Sequence, residues 1–440
     1  MSTTPFALTG VTVVTCDPDG TVLPDHTVLV DATGTVAGVG PSAATAVPAG
    51  YRRLRGAGRY VLPGLINAHA HLFADGKPLP PVLTSESAEH LVSAVFHSRV
   101  GRRVVTGRAR RNVDTQLRSG VTTIRSLGDV AYEVVQVRDE IEGGTRVGPR
   151  LLPSGPLLAG TGGHGTPTIA LVGDDPWAAR RNVRTNLRKG VGAIKIAATG
   201  GVTDARAIGE AGRPQLTEEE MTAICEEAHT AGVLVAAHAQ SREGIARALR
   251  AGVDTIEHGA GMDAEIVDLF RDNPRSLRGW SALVPTLQAC LPLVRLPRSV
   301  TGIDDVVHAN AEMILDEMLQ GIQDARANGI AIGMGTDSAL TYVTHYNTWR
   351  EIDLLVRYGG LTPAEALHAA TTGNARMLGL EAVTGAVETG RAADLLVVDG
   401  DPLTDLRALA HPAYVVVRGT VLDHPDVERF PEIDERLDTL

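Results

Sequence analysis

The chain has 440 residues, 43% of them hydrophobic, and its 41 basic and 52 acidic residues give a net charge of −11. A chain of this length and composition can bury a large core, and we expect one large domain beside a smaller one. The acidic balance argues against a nucleic-acid or anionic-membrane surface, because both require clustered Lys and Arg.

The cysteines and the first residues indicate a reducing compartment. Cys16, Cys225 and Cys290 lie far apart without CxxC spacing, so neither a disulfide framework nor a cysteine-ligated zinc site is predicted. The first residues carry neither a basic n-region nor an apolar h-region, and nowhere do about 18 uncharged apolar residues run together. We therefore expect a cytoplasmic protein.

Both ends of the chain have a β-like pattern. Residues 5–62 contain short apolar pieces separated by Gly, Asp and Pro, and residues 385–403 and 413–422 return to the same pattern. Each end alone has too few strands to be stable. We therefore predict that residues 1–62 and 382–440 form one small β-sandwich domain.

Between these ends, apolar runs of strand length alternate with stretches of helical spacing, which is typical of repeated βα units. The candidate strands are residues 61–72, 121–128, 149–158, 192–198, 233–239, 253–259, 282–287 and 330–337. Eight parallel strands are what a closed barrel needs. We predict an α/β protein whose residues 63–381 form a (β/α)₈ TIM barrel.

Two helices carry clear start signals. Thr217 with Glu220 three residues later predicts a capping box, and Thr362 with Glu365 repeats it. Pro363 at the first helical position supports the second helix.

Candidate metal ligands fall at or near the carboxyl ends of the predicted strands, which meet at the mouth of such a barrel. They are His69, His71, Lys195, His238, His258 and Asp337. His69 and His71 are two apart on a strand, so both imidazoles face the same side. Lys195 follows an apolar run, and burial favours its neutral, reactive amine. Taken singly, each residue has another explanation. His69 and His71 could be a chance pair, and His238 and His258 could be core histidines; Lys195 could pair with a carboxylate, and Asp337 could cap a helix. Their common location favours a metal site.

The ordered set PGLINAHAHL, GAIKIAATGG, VAAHA, EHG and GTDS resembles the amidohydrolase superfamily over nearly the whole chain. TGGHG at residues 161–165 and the LTPAEALHAAT helix are similar to the Xaa-Pro dipeptidase-like and imidazolonepropionase-related members. The resemblance implies two divalent ions bridged by hydroxide and by a carbamate on Lys195 (N6-carboxylysine). His69, His71 and Asp337 would then hold the more buried ion, with His238 and His258 on the second. Zinc is the expected metal, with manganese, cobalt and iron as alternatives.

This resemblance predicts hydrolysis of an amide-type C–N bond in a small-molecule substrate: a dipeptide, an N-acyl amino acid or a related amide. Asp337 would move the proton from the attacking hydroxide to the leaving nitrogen. His164 is similar to a substrate-facing histidine of the same relatives and could bond the carbonyl oxygen. His345 and Tyr342 are candidates for the pocket wall.

Three loop arginines, Arg125, Arg206 and Arg213, are either carboxylate clamps or ordinary surface residues. Gln215 stands where dipeptidase-like relatives often have an aromatic residue, which leaves dipeptide specificity open. One alternative function is a cyclic amidase or deaminase of the imidazolonepropionase type with one metal ion. Another is a catalytically inactive assembly protein. The chain could also form a homo-oligomer.

Overall fold

The amino-terminal segment forms strands, as its short apolar runs predict. The computed structural model, which describes residues 3–78 and 86–440, contains β1 (Phe6–Val14), β2 (Val22–Val30), β3 (Val36–Pro41), β4 (Arg52–Arg55) and β5 (Tyr60–Pro63). Strand β1 pairs antiparallel with β2 and parallel with β4 and β5. Phe6, Leu8 and Val28 are buried in the core of this sheet.

The barrel strands follow in chain order and coincide with the predicted ones. They are β6 (Leu65–Ala70), β7 (Val121–Ser126), β8 (Arg150–Pro153), β9 (Leu157–Ala159), β11 (Ile194–Ala197), β12 (Val235–Ala239), β13 (Thr255–His258) and β14 (Ala282–Val284), with the short β10 (Ala170–Val172) beside β9. All neighbouring pairs among them are parallel.

The third predicted strand, residues 149–158, is interrupted. Its first part, β8, pairs with β7, and its second part, β9, pairs with β11. Pro153 and Pro156 lie at the break, and proline has no N–H to donate to a strand ladder. The carbonyl of Pro153 accepts from Gly192 N at 2.7 Å, which links β8 to the next barrel strand.

The eighth predicted strand, residues 330–337, closes the barrel through two isolated parallel bridges, Leu283 to Ile332 and Ala70 to Ser338. A Cβ atom at Gly335 would lie 2.6 Å from the Cβ of His69, so this segment passes very close to β6. Backbone bonds from Thr336 N and Asp337 N to the carbonyl of His69 complete the closure. The predicted (β/α)₈ barrel is confirmed.

Helices surround the barrel and lie in the segments that connect its strands. They are α1 (Glu86–His97), α2 (Arg99–Arg118), α3 (Glu133–Glu142), α4 (Pro176–Arg188), α5 (Glu218–Thr230), α6 (Arg242–Ala251), α7 (Ala264–Arg271), α8 (Leu287–Arg295), α9 (Arg298–Thr301), α10 (Asp305–Ala327), α11 (Thr348–Arg357), α12 (Pro363–His368) and α13 (Asn374–Leu378). A π-helix (Ala369–Gly373) joins the last two. Both predicted capping boxes are present, at Thr217 and Thr362. Among the described residues, no helix combines the length and the apolar character that a membrane span requires.

The carboxyl-terminal segment adds β15 (Leu395–Val398), a 3₁₀ helix (Leu406–Ala410), β16 (Tyr414–Val417) and β17 (Thr420–Asp423). Strand β15 pairs antiparallel with β5, so both chain ends belong to one mixed sheet of eight strands in which β17, β16, β15, β5, β1, β2 and β3 follow one another. The predicted pairing of the two ends is confirmed. The domain boundaries at residues 62 and 382 stay predictions.

A last helix, α14 (Pro431–Leu437), returns to the barrel. Its Ile433 and Leu437 are buried against Tyr342 and Leu296. The C-terminal residues therefore pack on the segment that follows the eighth strand.

Candidate metal centre

Three predicted ligands converge where the first and eighth barrel segments meet. The Nε2 atoms of His69 and His71 lie 3.2 and 3.0 Å from Oδ1 of Asp337, and all three residues are buried. Asp337 Oδ1 has no hydrogen-bond partner among the described residues, although both imidazole nitrogens are this close. Three electron-pair donors that face one another without hydrogen-bond geometry fit a bound cation.

The histidines form a continuous row of ring contacts across the barrel mouth. Their centroid distances are 5.6 Å for His71 to His69, 5.3 Å for His69 to His258, 4.6 Å for His258 to His238 and 4.1 Å for His238 to His164. Ligand atoms of His69, His258 and Asp337 all lie within 4.8 Å of one another. The row therefore brings together the predicted histidines of three strands.

Each predicted histidine ligand has one ring nitrogen close to an oxygen atom behind it. The partners are the Gly128 carbonyl for His71 (3.1 Å), the Gly200 carbonyl for His238 (3.2 Å), Thr286 Oγ1 for His258 (2.7 Å) and Glu257 Oε2 for His69 (2.8 Å). The three hydrogen bonds, of His71, His238 and His258, fix the tautomer and leave the other nitrogen for a metal ion, and Glu257 lies at ion-pair distance from His69. Burial also moves the pKa of His238 and His258 well below the ordinary value, so both are neutral, as metal ligands must be.

Lys195 on β11 is almost completely buried, at 2% exposure, and its Nζ has no hydrogen-bond partner among the described residues. Burial lowers the pKa of its amine to about 8, although the negative charges of Glu257 and Asp337 oppose the shift. The neutral fraction of the amine near pH 7 is therefore a minority, but far larger than that of an exposed lysine. Neutral imidazoles, a carboxylate and an unpaired amine suit a divalent metal ion.

Glu257, which the sequence analysis did not identify, lies behind His69 with no exposed surface. Its Oε1 accepts from Arg125 Nη2 at 2.8 Å and from Thr255 Oγ1 at 2.5 Å. Arg125 is itself 1% exposed, so the interpretation as a surface arginine or substrate clamp is wrong. Glu257 points into the barrel, and His258, the next residue, reaches the mouth at a left-handed φ of 71°.

His164 lies in the loop after β9 and stacks on His238 with an interplanar angle of 28°. Its Nδ1 lies 2.8 Å from Oδ2 of Asp204, a second residue that the sequence analysis missed. A Cβ at Gly201 would lie 2.4 Å from this Nδ1, so the close approach requires glycine there. Burial opposes protonation of His164, but the charge and hydrogen bond of Asp204 outweigh it and raise the pKa of the imidazole.

Tyr342 and His345 hold loops together and do not join the histidine row. His345 contacts the Ala74 carbonyl through Nε2 at 2.7 Å and the Gln116 amide through Nδ1 at 3.1 Å, and burial lowers its pKa to about 4. The hydroxyl of Tyr342 donates to the Val300 carbonyl at 2.8 Å. These contacts use the polar atoms that substrate binding would need.

The other two candidate arginines, Arg206 and Arg213, are exposed in the long loop between β11 and α5. The backbone N–H of Arg206 donates to Glu210 Oε2 at 2.6 Å. This loop also carries Asp204 and Gln215, whose side chains contact His164.

Comparison with known proteins agrees with this geometry. The amidohydrolase family model matches residues 60–422. A Bifidobacterium longum protein assigned as a prolidase is 49% identical, with a TM-score of 0.88, over 100% of this chain and 99% of that one. A prolidase complexed with N-methylphosphonate-L-proline is 28% identical, with a TM-score of 0.80, over 96% of this chain and 100% of that one.

Among curated proteins, the ochratoxinase of Aspergillus niger is 28% identical over 380 residues, which cover 81% of this chain and 73% of that protein. The matched family, the confirmed barrel and the buried His/His/Asp cluster lead to the same assignment. The predicted resemblance is thereby confirmed: the chain belongs to the amidohydrolase family and is a metal-dependent hydrolase that acts on carbon–nitrogen bonds.

Proposed function

We propose that this protein hydrolyses small substrates in which an acyl group is joined to the nitrogen of an amino acid, with Xaa-Pro dipeptides as the first class to test. The similarity to a 49% identical protein assigned as a prolidase supports this class. So does the ligand of another relative, N-methylphosphonate-L-proline. The phosphorus of this ligand is tetrahedral, and it takes the place of the acyl carbon, which becomes tetrahedral when an acyl-proline bond is hydrolysed.

The observation that carries the proposal is the unpaired amine of Lys195 beside the row of histidines. A neutral lysine attacks carbon dioxide, forms a new N–C bond and releases a proton, which gives a carbamate with two ligand oxygens. In this proposal, His69, His71 and Asp337 would hold one divalent ion, His238 and His258 would hold a second, and the Lys195 carbamate would supply further ligand oxygens. Zinc is the expected metal, with manganese, cobalt or iron as alternatives.

Divalent ions held by these residues would supply hydroxide at neutral pH and would polarise the scissile carbonyl. Asp337 accepts the proton that the attacking hydroxide loses and delivers it to the leaving nitrogen. Its location supports this role, because its Oδ1 faces both His69 and His71. A general acid–base group placed in this way contributes roughly 10²- to 10⁴-fold to the rate.

His164 donates a hydrogen bond to the carbonyl oxygen of the substrate as negative charge develops there. Asp204 holds Nδ1 of the ring, so Nε2 is the atom left for the substrate. The remaining exposure of the His164 side chain, 21%, leaves it accessible from the barrel mouth.

The test is a substrate screen on metal-loaded protein, with Xaa-Pro dipeptides, other dipeptides, N-acyl amino acids and small lactams compared by kcat/KM. We expect the Xaa-Pro dipeptides to lead. A preference for lactams, together with one tightly bound ion per chain, would instead identify a mononuclear cyclic amidase. A chain that stays folded without metal and cannot be activated by zinc or manganese would be an inactive assembly protein.

A further inference from the structure

Glu257 differs from every other residue that holds a predicted histidine ligand from behind. His71, His238 and His258 each contact a neutral oxygen, either a backbone carbonyl or a hydroxyl. Among these ligands in the described chain, only His69 has a carboxylate behind its ring, with its Nδ1 2.8 Å from Glu257 Oε2. The two halves of the metal centre are therefore built unequally.

A network of hydrogen bonds holds Glu257 in place. Arg125 donates to Oε1 at 2.8 Å, and its Nη1 and Nε donate to Thr255 Oγ1 at 3.0 Å and to the Ala68 carbonyl at 2.6 Å. The partners reside on three different barrel strands, β6, β7 and β13. This network fixes Oε1, so Oε2 is directed at His69.

Stability alone does not account for this network. A buried ion pair contributes little net stability, since desolvation of the two charges offsets their attraction, and apolar side chains of similar volume are often as good. Branched apolar side chains also usually fill barrel interiors. The second oxygen of Glu257, Oε2, gives the network a different purpose. A carboxylate behind an imidazole orients the ring and increases the basicity of its far nitrogen.

We propose that Glu257, held by Arg125, is a positioning residue that makes the His69, His71 and Asp337 side of the centre the tighter of two metal sites. This inference rests on the proposed binuclear function, because a difference between two sites requires two bound ions. The contact of Glu257 with His69 is independent of that function. In the absence of Glu257 the two sites become similar in affinity.

The test measures zinc loss to a chelator of graded strength, together with the visible spectrum of the cobalt-substituted protein. We expect two separate phases of metal loss in the unchanged protein. In Glu257→Gln the tighter phase weakens by about 10- to 100-fold while the weaker phase stays, and the cobalt bands shift. Thr286→Val, which removes the neutral partner of His258, is the matched control and weakens the other phase.

Glu257→Gln leaves the charge of Arg125 buried without its partner, so Arg125→Met/Glu257→Gln is measured beside it. Removal of both charges avoids an unpaired buried cation. Unchanged affinity of the tighter ion in the folded double variant would overturn the proposal. If the unchanged protein binds a single ion, the binuclear function fails instead, and the inference then predicts weaker binding of that one ion.

Discussion

The imidazoles of His164 and His238 lie nearly parallel, with their ring centroids 4.1 Å apart. His238 is one of the proposed metal ligands, and His164 belongs to the loop after β9. The stack joins this loop to the end of β12, and Asp204 Oδ2 lies 2.8 Å from Nδ1 of the His164 ring. A residue that does not bind metal in our proposal is thus held in a defined place beside the centre.

Asp204→Asn should lower kcat about 10-fold or more without a change in metal content, because His164 loses the charge that holds and protonates it. The Asp204 carboxylate raises the pKa of His164, so its removal lowers this pKa. The basic limb of the kcat–pH profile should therefore move to lower pH. An unmoved basic limb would show that the protonation of His164 does not matter for turnover.

Asp337→Asn should retain most of the bound metal, because the amide oxygen can still act as a ligand, while turnover falls by about 100-fold or more. The amide cannot accept the proton that hydroxide loses. Metal analysis and steady-state rates on the same preparation check both expectations. Near-normal turnover would rule out the proposed proton transfer.

Lys195→Met should reduce the metal content to about one ion per chain, because methionine cannot form the carbamate that bridges the proposed sites. A short carboxylate such as acetate should restore part of the activity, since its two oxygens can replace those of the carbamate. The same acetate added to the unchanged protein is the control. Two tightly held ions in the variant without acetate would contradict the proposal.

Glu351 predicts a pH dependence of stability in the metal-free protein. Burial raises the pKa of Glu351 to about 8, even though it accepts hydrogen bonds from the backbone N–H groups of Leu287 and Gln288. The folded state thus binds a proton that the unfolded state releases, and stability falls as the pH rises from about 4.5 to about 8.

Urea unfolding near pH 5 and near pH 8.5 should show a smaller fall in the free energy of unfolding for Glu351→Gln than for the unchanged chain, by roughly 1 kcal/mol or more. The exposed Glu435→Gln is the matched control and should behave like the unchanged chain. Equal falls in all three proteins would show that Glu351 is ionised in the fold throughout this range.

Ile433→Ala tests the packing of α14 on the barrel. Ile433 is 1% exposed beside Tyr342, so the truncation should lower the free energy of unfolding by about 2–5 kcal/mol. The exposed neighbour Glu432→Ala should change it by less than about 0.5 kcal/mol. A loss as small as that of the control would mean that α14 adds little to the barrel.

Sequence patterns predicted the barrel and the grouping of its polar strand ends, because hydrophobic runs locate parallel strands and all parallel strands end at one face. They failed where the backbone departs from a regular strand. His258 has a positive φ, so that Glu257 and His258, neighbours in the chain, both reach the centre, and a regular strand pattern did not identify Glu257. Two prolines divided the third strand.

Loop side chains were the least predictable. Tyr342 also has a positive φ, 68°, and its ring packs against α14, almost a hundred residues later in the chain. Arg125 was assigned to a loop although it lies within β7 and points into the barrel. Local pattern contains no information about such partners, since they come from distant segments.

The pairing of β5 with β15 also has a consequence for how the molecule is made. Synthesis proceeds from the amino terminus, so β5 leaves the ribosome long before its partner, and every barrel strand is translated in between. One edge of the early sheet therefore stays unpaired and exposed until β15 has been translated. Chaperones that shield unpaired edges should matter most for this protein before β15 is made, and much less once β15 has paired.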